Sequence, residues 1–387
     1  MSRGIHSQNR RLDINIVFDY DGRWLSEKCK GGAMKKFIFM LLVLGMNLLF
    51  AQEVVKLNQE KPLNKNAGRE LKLKKVLQIG DEDGEFLFSG PMAIRMADDG
   101  SFFVQEYKKL FKFDAKGKPL KSFCKFGEGP GEVNQMRNFI LHDNSVIMFG
   151  VWPNKIVRFD KEGNFLKEFK FYHGILLADL LVFWNNKYYI LYSGNIPAKN
   201  DPYFVDIDHT LAELSDDGKS LKNLALFPVQ KYVMTLGEGG WRAFNIGEFK
   251  AELFRDQYLI ITHTAEYLLK MFDLKEGRVT GVFSRKYPRV KFQGGEWGKT
   301  PDAPKLKYEK DIKLVFPQEK DIWVLTSTVD AKKGGLIDVF DSTGTFTDSF
   351  YLKVPGDILC IHDRSVFVCE RDKDFNPLVV QYRVVDR

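Results

Sequence analysis

Cysteine is scarce in this chain: four residues in 387, Cys29, Cys124, Cys360 and Cys369, with no close Cys or His spacing among them. That scarcity excludes a small disulfide-stapled fold and a cysteine-based zinc site. Histidine is nearly as rare, at six, and no Gly-x-Ser-x-Gly elbow occurs. Covalent catalysis of the Ser-His-Asp or Cys-His kind therefore has no support in the sequence. Long apolar sequence is limited to Phe37 to Phe50, short of the roughly 20 residues a membrane-spanning helix needs. An excess of one charge is lacking too. The chain has 58 Lys/Arg and 51 Asp/Glu, and without the first 51 residues the balance is 50 against 47. No basic stripe interleaved with aromatics is left, so a nucleic-acid partner is not expected.

The apolar run belongs to residues 34 to 51, MKKFIFMLLVLGMNLLFA, which carry two lysines, the hydrophobic stretch and a small residue before Gln52. This is the layout of a cleavable signal peptide. It predicts export to a periplasmic or extracellular location, with no membrane span after cleavage. Gln52 stands where a lipid-anchored protein would have Cys. Residues 1 to 33 are polar and precede a complete leader, which makes Met34 the expected start. Residues 52 to 70, with Pro62 and Gly68 and no periodicity, are expected to be a flexible lead-in.

What the chain does have is phenylalanine, 33 residues of it, and a repeated phrase. An apolar strand, a tight polar turn, a second strand and a looser loop lead to an aromatic-Asp-x-x-Gly turn and another strand. Ile94 to Phe123 and Phe139 to Phe169 align turn for turn, with Phe113-Asp114 on Phe159-Asp160; later copies centre on Leu214-Ser215-Asp216, Phe272-Asp273 and Phe340-Asp341. A period of roughly 45 residues is that of propeller blades. The sequence predicts an all-β fold over 71 to 387, a single six-bladed β-propeller of four-stranded antiparallel blades. The last unit holds only three strands, and Leu71 to Ile79 is expected to supply the fourth and close the ring.

In such a ring the first-to-second and third-to-fourth turns share one plain end. Second-to-third loops and inter-blade connections share the other. Ser193 to Phe204, Tyr232 to Phe249, Arg285 to Asp311 and Thr328 to Leu336 are expected to be long loops at that irregular end, where binding residues should gather. The candidate ligand-binding residues there are Trp152, Asn154, Lys155, Tyr192, Asn195, Trp241, Arg242, His263, Glu266, Tyr267 and Trp297. Aromatic platforms beside amides and charges suit glycans or peptide segments. No catalytic residue, metal ligand or cofactor is assigned. Cys360 and Cys369 flank one hairpin at offset positions, which leaves both a disulfide and two buried thiols open.

Gly80 to Gly90 followed by Pro91, and its second copy Phe126 to Val133 containing Gly-Glu-Gly-Pro-Gly-Glu, resemble the NHL-repeat class of six-bladed propellers, and more narrowly a secreted bacterial group. The resemblance implies a six-bladed ring used as a binding or scaffolding surface. A monomer that binds a glycan, peptide or envelope protein is expected. Val104-Gln105-Glu106 and Phe149-Gly150-Val151 depart from it where NHL repeats often place an Asp. Other relatives of the fold are metal-dependent lactonases or lyases, so a metal-dependent hydrolase or lyase in the central channel is the alternative. The Gly-rich Gly127 to Glu132 joins two strands without a Lys-Ser/Thr pair, which makes it an inter-blade turn and not a phosphate loop.

Overall fold

The computed structural model describes residues 55–80, 86–175, 178–194, 203–236, 240–294 and 306–385. Among them the strands form six antiparallel blades. Blade one is Ala93–Met96, Phe102–Gln105, Leu110–Phe113 and Pro119–Phe123, and blade two is Gln135–His142, Ser145–Val151, Lys155–Asp160 and Phe165–Lys170. Blade three is Ala178–Trp184, Lys187–Ser193, Tyr203–Ser215 and Leu221–Leu236, with Gly240–Asn245 added outside. Blade four is Phe249–Phe254, Tyr258–His263, Leu268–Asp273 and Arg278–Arg285; blade five is Ile312–Pro317, Asp321–Asp330, Gly334–Asp341 and Phe346–Leu352. Blade six is Asp357–His362, Ser365–Arg371, Pro377–Val385 and the chain's early strand Arg69–Ile79.

The second strands of blades one and two are buried on both faces, as every residue of Phe102–Gln105 and Ser145–Val151 shows, whereas the outer strand Pro119–Phe123 is exposed except at its last residue. A strand sandwiched between neighbouring blades needs apolar side chains on both sides, which is why these segments read as continuous hydrophobic runs. The phenylalanines are spent here. Six core clusters each bridge one pair of adjacent blades. Phe102 meets Phe367 between blades one and six at 5.1 Å, Phe227 meets Phe249 between three and four at 5.4 Å, and Phe283 meets Phe340 between four and five at 5.3 Å.

The Asp-x-x-Gly phrase has a local cause. Asp114 Oδ1 accepts the Lys116 and Lys118 amides at 2.9 and 2.8 Å, and Asp341 Oδ1 accepts those of Thr343 and Thr345 at 2.8 and 2.9 Å. In blade three the role shifts by a residue, with Ser215 Oγ accepting the Ser220 amide and Asp217 Oδ1 that of Lys219. The glycine then takes positive φ, 72° at Gly218 and 73° at Gly344. It also lets the turn sit against the preceding blade: a Cβ at Gly218 would lie 2.3 Å from Phe169, and one at Gly344 2.6 Å from Phe283.

Closure follows the expected pairing, with Lys72 opposite Val385 and Ile79 opposite Val379 in antiparallel register. The expected lead-in does not hold, because ordered structure begins well before Leu71. Val55–Asn58 runs parallel to Val282–Arg285 on the outside of blade four. Leu63, Asn64 and Gly68 then donate backbone bonds to Phe346, Thr347 and Ser349 of blade five, and Arg69–Leu71 pairs in parallel with Phe350–Leu352. Asn58 joins two blades by donating to the Ser284 and Gly344 carbonyls, both at 2.9 Å. Arg69 grips Asp348 through two bonds of 2.9 and 2.8 Å. A polar segment can be held this way because backbone amides, not apolar contacts, supply the attachment.

Truncation separates the two parts of this segment. A chain beginning at Arg69 keeps one cooperative thermal transition at reduced Tm, while a chain beginning at Gly80 loses cooperativity, as read by calorimetry; equal behaviour of the two would remove the closing role from Lys72 to Ile79.

Candidate functional site

Two of the four expected long loops are shorter than the sequence implies, and residues 195–202 of a third lie outside the described residues. Thr328 to Leu336 is a hairpin with a turn only at Ala331 to Lys333, fixed by the Asp330 carboxylate accepting the Lys332 and Lys333 amides. Tyr232 to Phe249 is mostly strand, since Leu221–Leu236 continues outward and Gly240–Asn245 returns beside it, pairing Lys231 with Asn245. The ribbon projects past the second strand of blade three, where Tyr203 to Asp208 faces Val233 to Pro228. Within Arg285 to Asp311, Lys291 bridges Tyr308, and residues 295–305 lie outside the described residues.

The named candidates separate into four fates. Trp152 is 66% exposed, and its carbonyl accepts from Asn134 Nδ2 at 2.9 Å. Asn154 and Lys155, expected beside it, are interior supports. Asn154 Nδ2 donates to the Ile175 carbonyl at 2.8 Å. Lys155 Nζ reaches Glu168 Oε2 at 2.8 Å and the Gly129 and Glu132 carbonyls at 2.8 and 3.0 Å. With Gly131 N donating to Glu168 at 2.7 Å, this ammonium pins the Gly-rich turn. Tyr267 is also withdrawn from any ligand surface. It is 6% exposed, and its hydroxyl donates to Asp338 Oδ2 at 2.6 Å beside Arg285 Nε at 2.7 Å. A chain this rich in aromatics surrounds the Arg285 guanidinium with Tyr267, Tyr287 and Phe346, about 5 Å away on each side. Tyr192 is half-buried and donates to Asn223 Oδ1 at 2.8 Å.

His263 and Glu266 do share a cavity. A cleft of about 510 Å³ opens between blades three and four, lined by Asp206, Phe227, Gln230, Phe249, His263, Glu266 and further residues of the two blades. Burial holds the His263 imidazole below its ordinary pKa, against the pull of Glu266 and the Gly247 carbonyl. Behind it His209 stacks on Phe249 at 5.9 Å, and burial, with Lys231 and His263 nearby, pushes its pKa down to about 4. Burial alone would raise the Glu248 carboxyl, but bonds from Lys250 and Lys310 outweigh it and hold the group at about 2. Asn195 and Trp297 lie outside the described residues. Of Trp241 and Arg242 the backbone is described, opposite Thr235 and Met234.

Exposed aromatics that the sequence did not single out accompany Trp152. Tyr107, Phe126, Tyr172 and Phe375 are each about half exposed or more, and all lie in second-to-third turns or inter-blade connections of blades one, two, three and six. They form an arc at the irregular end. Among the described residues, none of the exposed large apolar side chains falls within a plain-end turn, and one exposed ring, Phe165, opens the strand directly after such a turn and packs on Phe159. Membership of an irregular-end loop was legible for all of them; which ring turns outward was not.

The central channel holds paired charges. Arg95 on the inner strand of blade one reaches Glu252 on the opposite blade, four, at 3.5 Å, beside a cavity of about 320 Å³. At the mouth Arg137 pairs with Asp179 at 2.6 Å, and Lys250 and Lys310 both bind Glu248. The Glu252, Asp179 and Glu248 carboxylates are thus matched with cations, and among the described residues no three His, Cys, Asp or Glu converge. Cys360 lines this cavity with its thiol pushed up to about 12 by burial. It sits opposite Phe367 while Cys369 sits opposite Asp357, so the offset leaves both thiols free.

Ring, closure and strand order define a six-bladed β-propeller. Residues 81–227 match a protein family described as a 6-bladed β-propeller, a description that names the ring and not the NHL repeat. A protein of Bacteroides fragilis described as exported superposes with a TM-score of 0.52 at 12% identity, covering 86% of this chain and 100% of that one. A gluconolactonase of Xanthomonas campestris gives 0.43 at 12% identity, covering 84% and 97%, and the Neurospora crassa Pan2 WD40 domain 0.41 at 10%, covering 84% and 98%. No curated protein matches the chain.

Two outcomes follow from the interior groups. Lys155→Met strands the partly buried Glu168 carboxylate and two carbonyls and should cost about 2 kcal/mol, measured by urea unfolding. Unfolded His209 titrates near 6.5 and the folded group near 4, so between these values the unfolded chain binds more protons and stability falls on acidification. The loss is up to roughly 3 kcal/mol between about pH 7 and about pH 4; His209→Phe should shrink the difference, and an unchanged one would show that other groups carry it.

Proposed function

We propose that this protein is an exported, non-enzymatic recognition module that binds glycan strands on the irregular end of its propeller. The observation that carries the reading is the arc of Tyr107, Phe126, Trp152, Tyr172 and Phe375, turned outward on the one end where loops emerge. Leaving large rings in water forfeits the stabilisation their burial would supply, and they are absent from the turns of the opposite end. The rings stand on separate turns with polar groups at hand: Lys108 Nζ lies 4.3 Å from the Phe126 ring, and Asn134 bridges Glu128 and the Trp152 carbonyl. Spaced platforms with donors and acceptors between them fit successive sugar rings, whose faces are apolar and whose edges carry hydroxyls.

The leader-like segment at 34 to 51 and the exported relative from Bacteroides fragilis support export. A recognition role is supported by the matched charges of the channel, where Arg95, Arg137, Lys250 and Lys310 leave their carboxylates paired.

Trp152→Ala with Tyr172→Ala should leave Tm nearly unchanged, because both side chains are exposed. Retention on affinity gels cast with a panel of soluble polysaccharides should weaken at least tenfold, about 1.4 kcal/mol. A panel on which the natural protein is never retarded, or on which the variant is retarded equally, would overturn the reading.

A further inference from the structure

We infer that the cleft between blades three and four is a saccharide subsite that takes one sugar unit, its hydroxyls donating to Asp206, Gln230 and Glu266. The inference deepens the glycan reading above and rests on it.

The cleft has the size of a small-molecule site, about 510 Å³, within the usual range of roughly 300 to 1,000 Å³. Its floor includes Phe227, Phe249, Ile261 and Leu268, an apolar surface for the C–H face of a ring. Its cations are already engaged. Arg289 donates to Asp311 at 2.9 Å and to the Ala265 carbonyl at 2.8 Å, and its guanidinium lies over Tyr308 at 4.7 Å. Lys270 lies over the Phe227 ring at 5.8 Å. Thr262 spends its hydroxyl on the Leu268 carbonyl at 2.6 Å. Among the described residues, the Asp206 and Glu266 carboxylates and the Gln230 amide line the cleft with hydrogen-bonding capacity unused, and His263 Nε2 is a further unpartnered polar atom in the same lining.

These acceptors are distributed rather than convergent. Asp206 and Gln230 stand opposite one another on the projecting ribbon of blade three, and Glu266 lies in the second-to-third turn of blade four. A point cation needs ligands gathered on one centre, and no such group of three occurs among the described residues. An unpaired anion would meet carboxylates. A polyol ring presents what the cleft lacks: several donors around its edge and a flat apolar face between them. Acceptors to hydroxyls above an aromatic floor satisfy both requirements at once.

The test is saturation-transfer NMR on the full chain with the methyl glycosides of glucose, galactose, mannose and N-acetylglucosamine, with n-butylammonium as the cationic control. At least one glycoside should receive saturation, and Asp206→Ala with Glu266→Ala should lose that signal while keeping Tm and polysaccharide retention through the arc. Trp152→Ala with Tyr172→Ala should keep the glycoside signal. If no glycoside responds while polysaccharide is still retained, the cleft is not a sugar site and the arc stands. A signal that survives the cleft substitutions, or one given by n-butylammonium and no glycoside, overturns the inference as well. Loss of polysaccharide retention in every form, the natural protein included, fails the wider reading instead.

Discussion

The ring depends on one antiparallel contact, that of Lys72 to Ile79 with Val379 to Val385. Apart from the strap's outer pairing on blades four and five, every other blade is made of strands close together in sequence, and only blade six takes one of its four strands from the far end of the described residues. Without it blade six would present an open edge of unpaired amides, and the Phe102 to Phe367 seam against blade one would lose its outer support. The strap before it extends the same principle. By running outside blades four and five before it enters blade six, it ties three sheets with backbone bonds and two side-chain clamps, Asn58 and Arg69.

Rigidity of the ring is what gives the two ends different characters. Plain-end turns are fixed by carboxylates such as Asp114 and Asp341 and by glycines that admit the neighbouring blade, so little freedom is left there for binding. At the other end, connections differ from blade to blade. Some are locked from below, as Lys155 locks the Gly-rich turn, and what they hold outward is aromatic. Across the lumen the Arg95 to Glu252 contact spans opposite blades, adding little energy as a solvent-reached pair while occupying the axis.

How much of this was legible in the sequence depended on the range of the interactions involved. The Asp-x-x-Gly turns were readable because each answers a local demand within five residues, and even the blade-three variant kept its glycine. The strap over Val55 to Gly68 was not, since its partners lie more than two hundred residues away and it has no apolar period to betray them. The ribbon at 232 to 245 read as loop on account of its glycines, yet pairing with a long neighbouring strand makes it sheet. For the site, position in a loop could be inferred, but the outward or inward turn of a side chain could not. Trp152 and Tyr267 occupy equivalent second-to-third turns; one faces water and the other is consumed by the buried Arg285 and Asp338 pair. His209 gave no signal because its neighbours, Lys231 and His263, come from separate strands.

The closing strand has a bearing on biosynthesis. Arg69–Ile79 is the first piece of the ring to leave a ribosome, and Pro377–Val385 is the last. Throughout synthesis the nascent protein therefore carries a sticky, unmated ribbon, while blades one to five can form behind it from short-range contacts. The pairing that closes the ring therefore forms only after its last strand has been made.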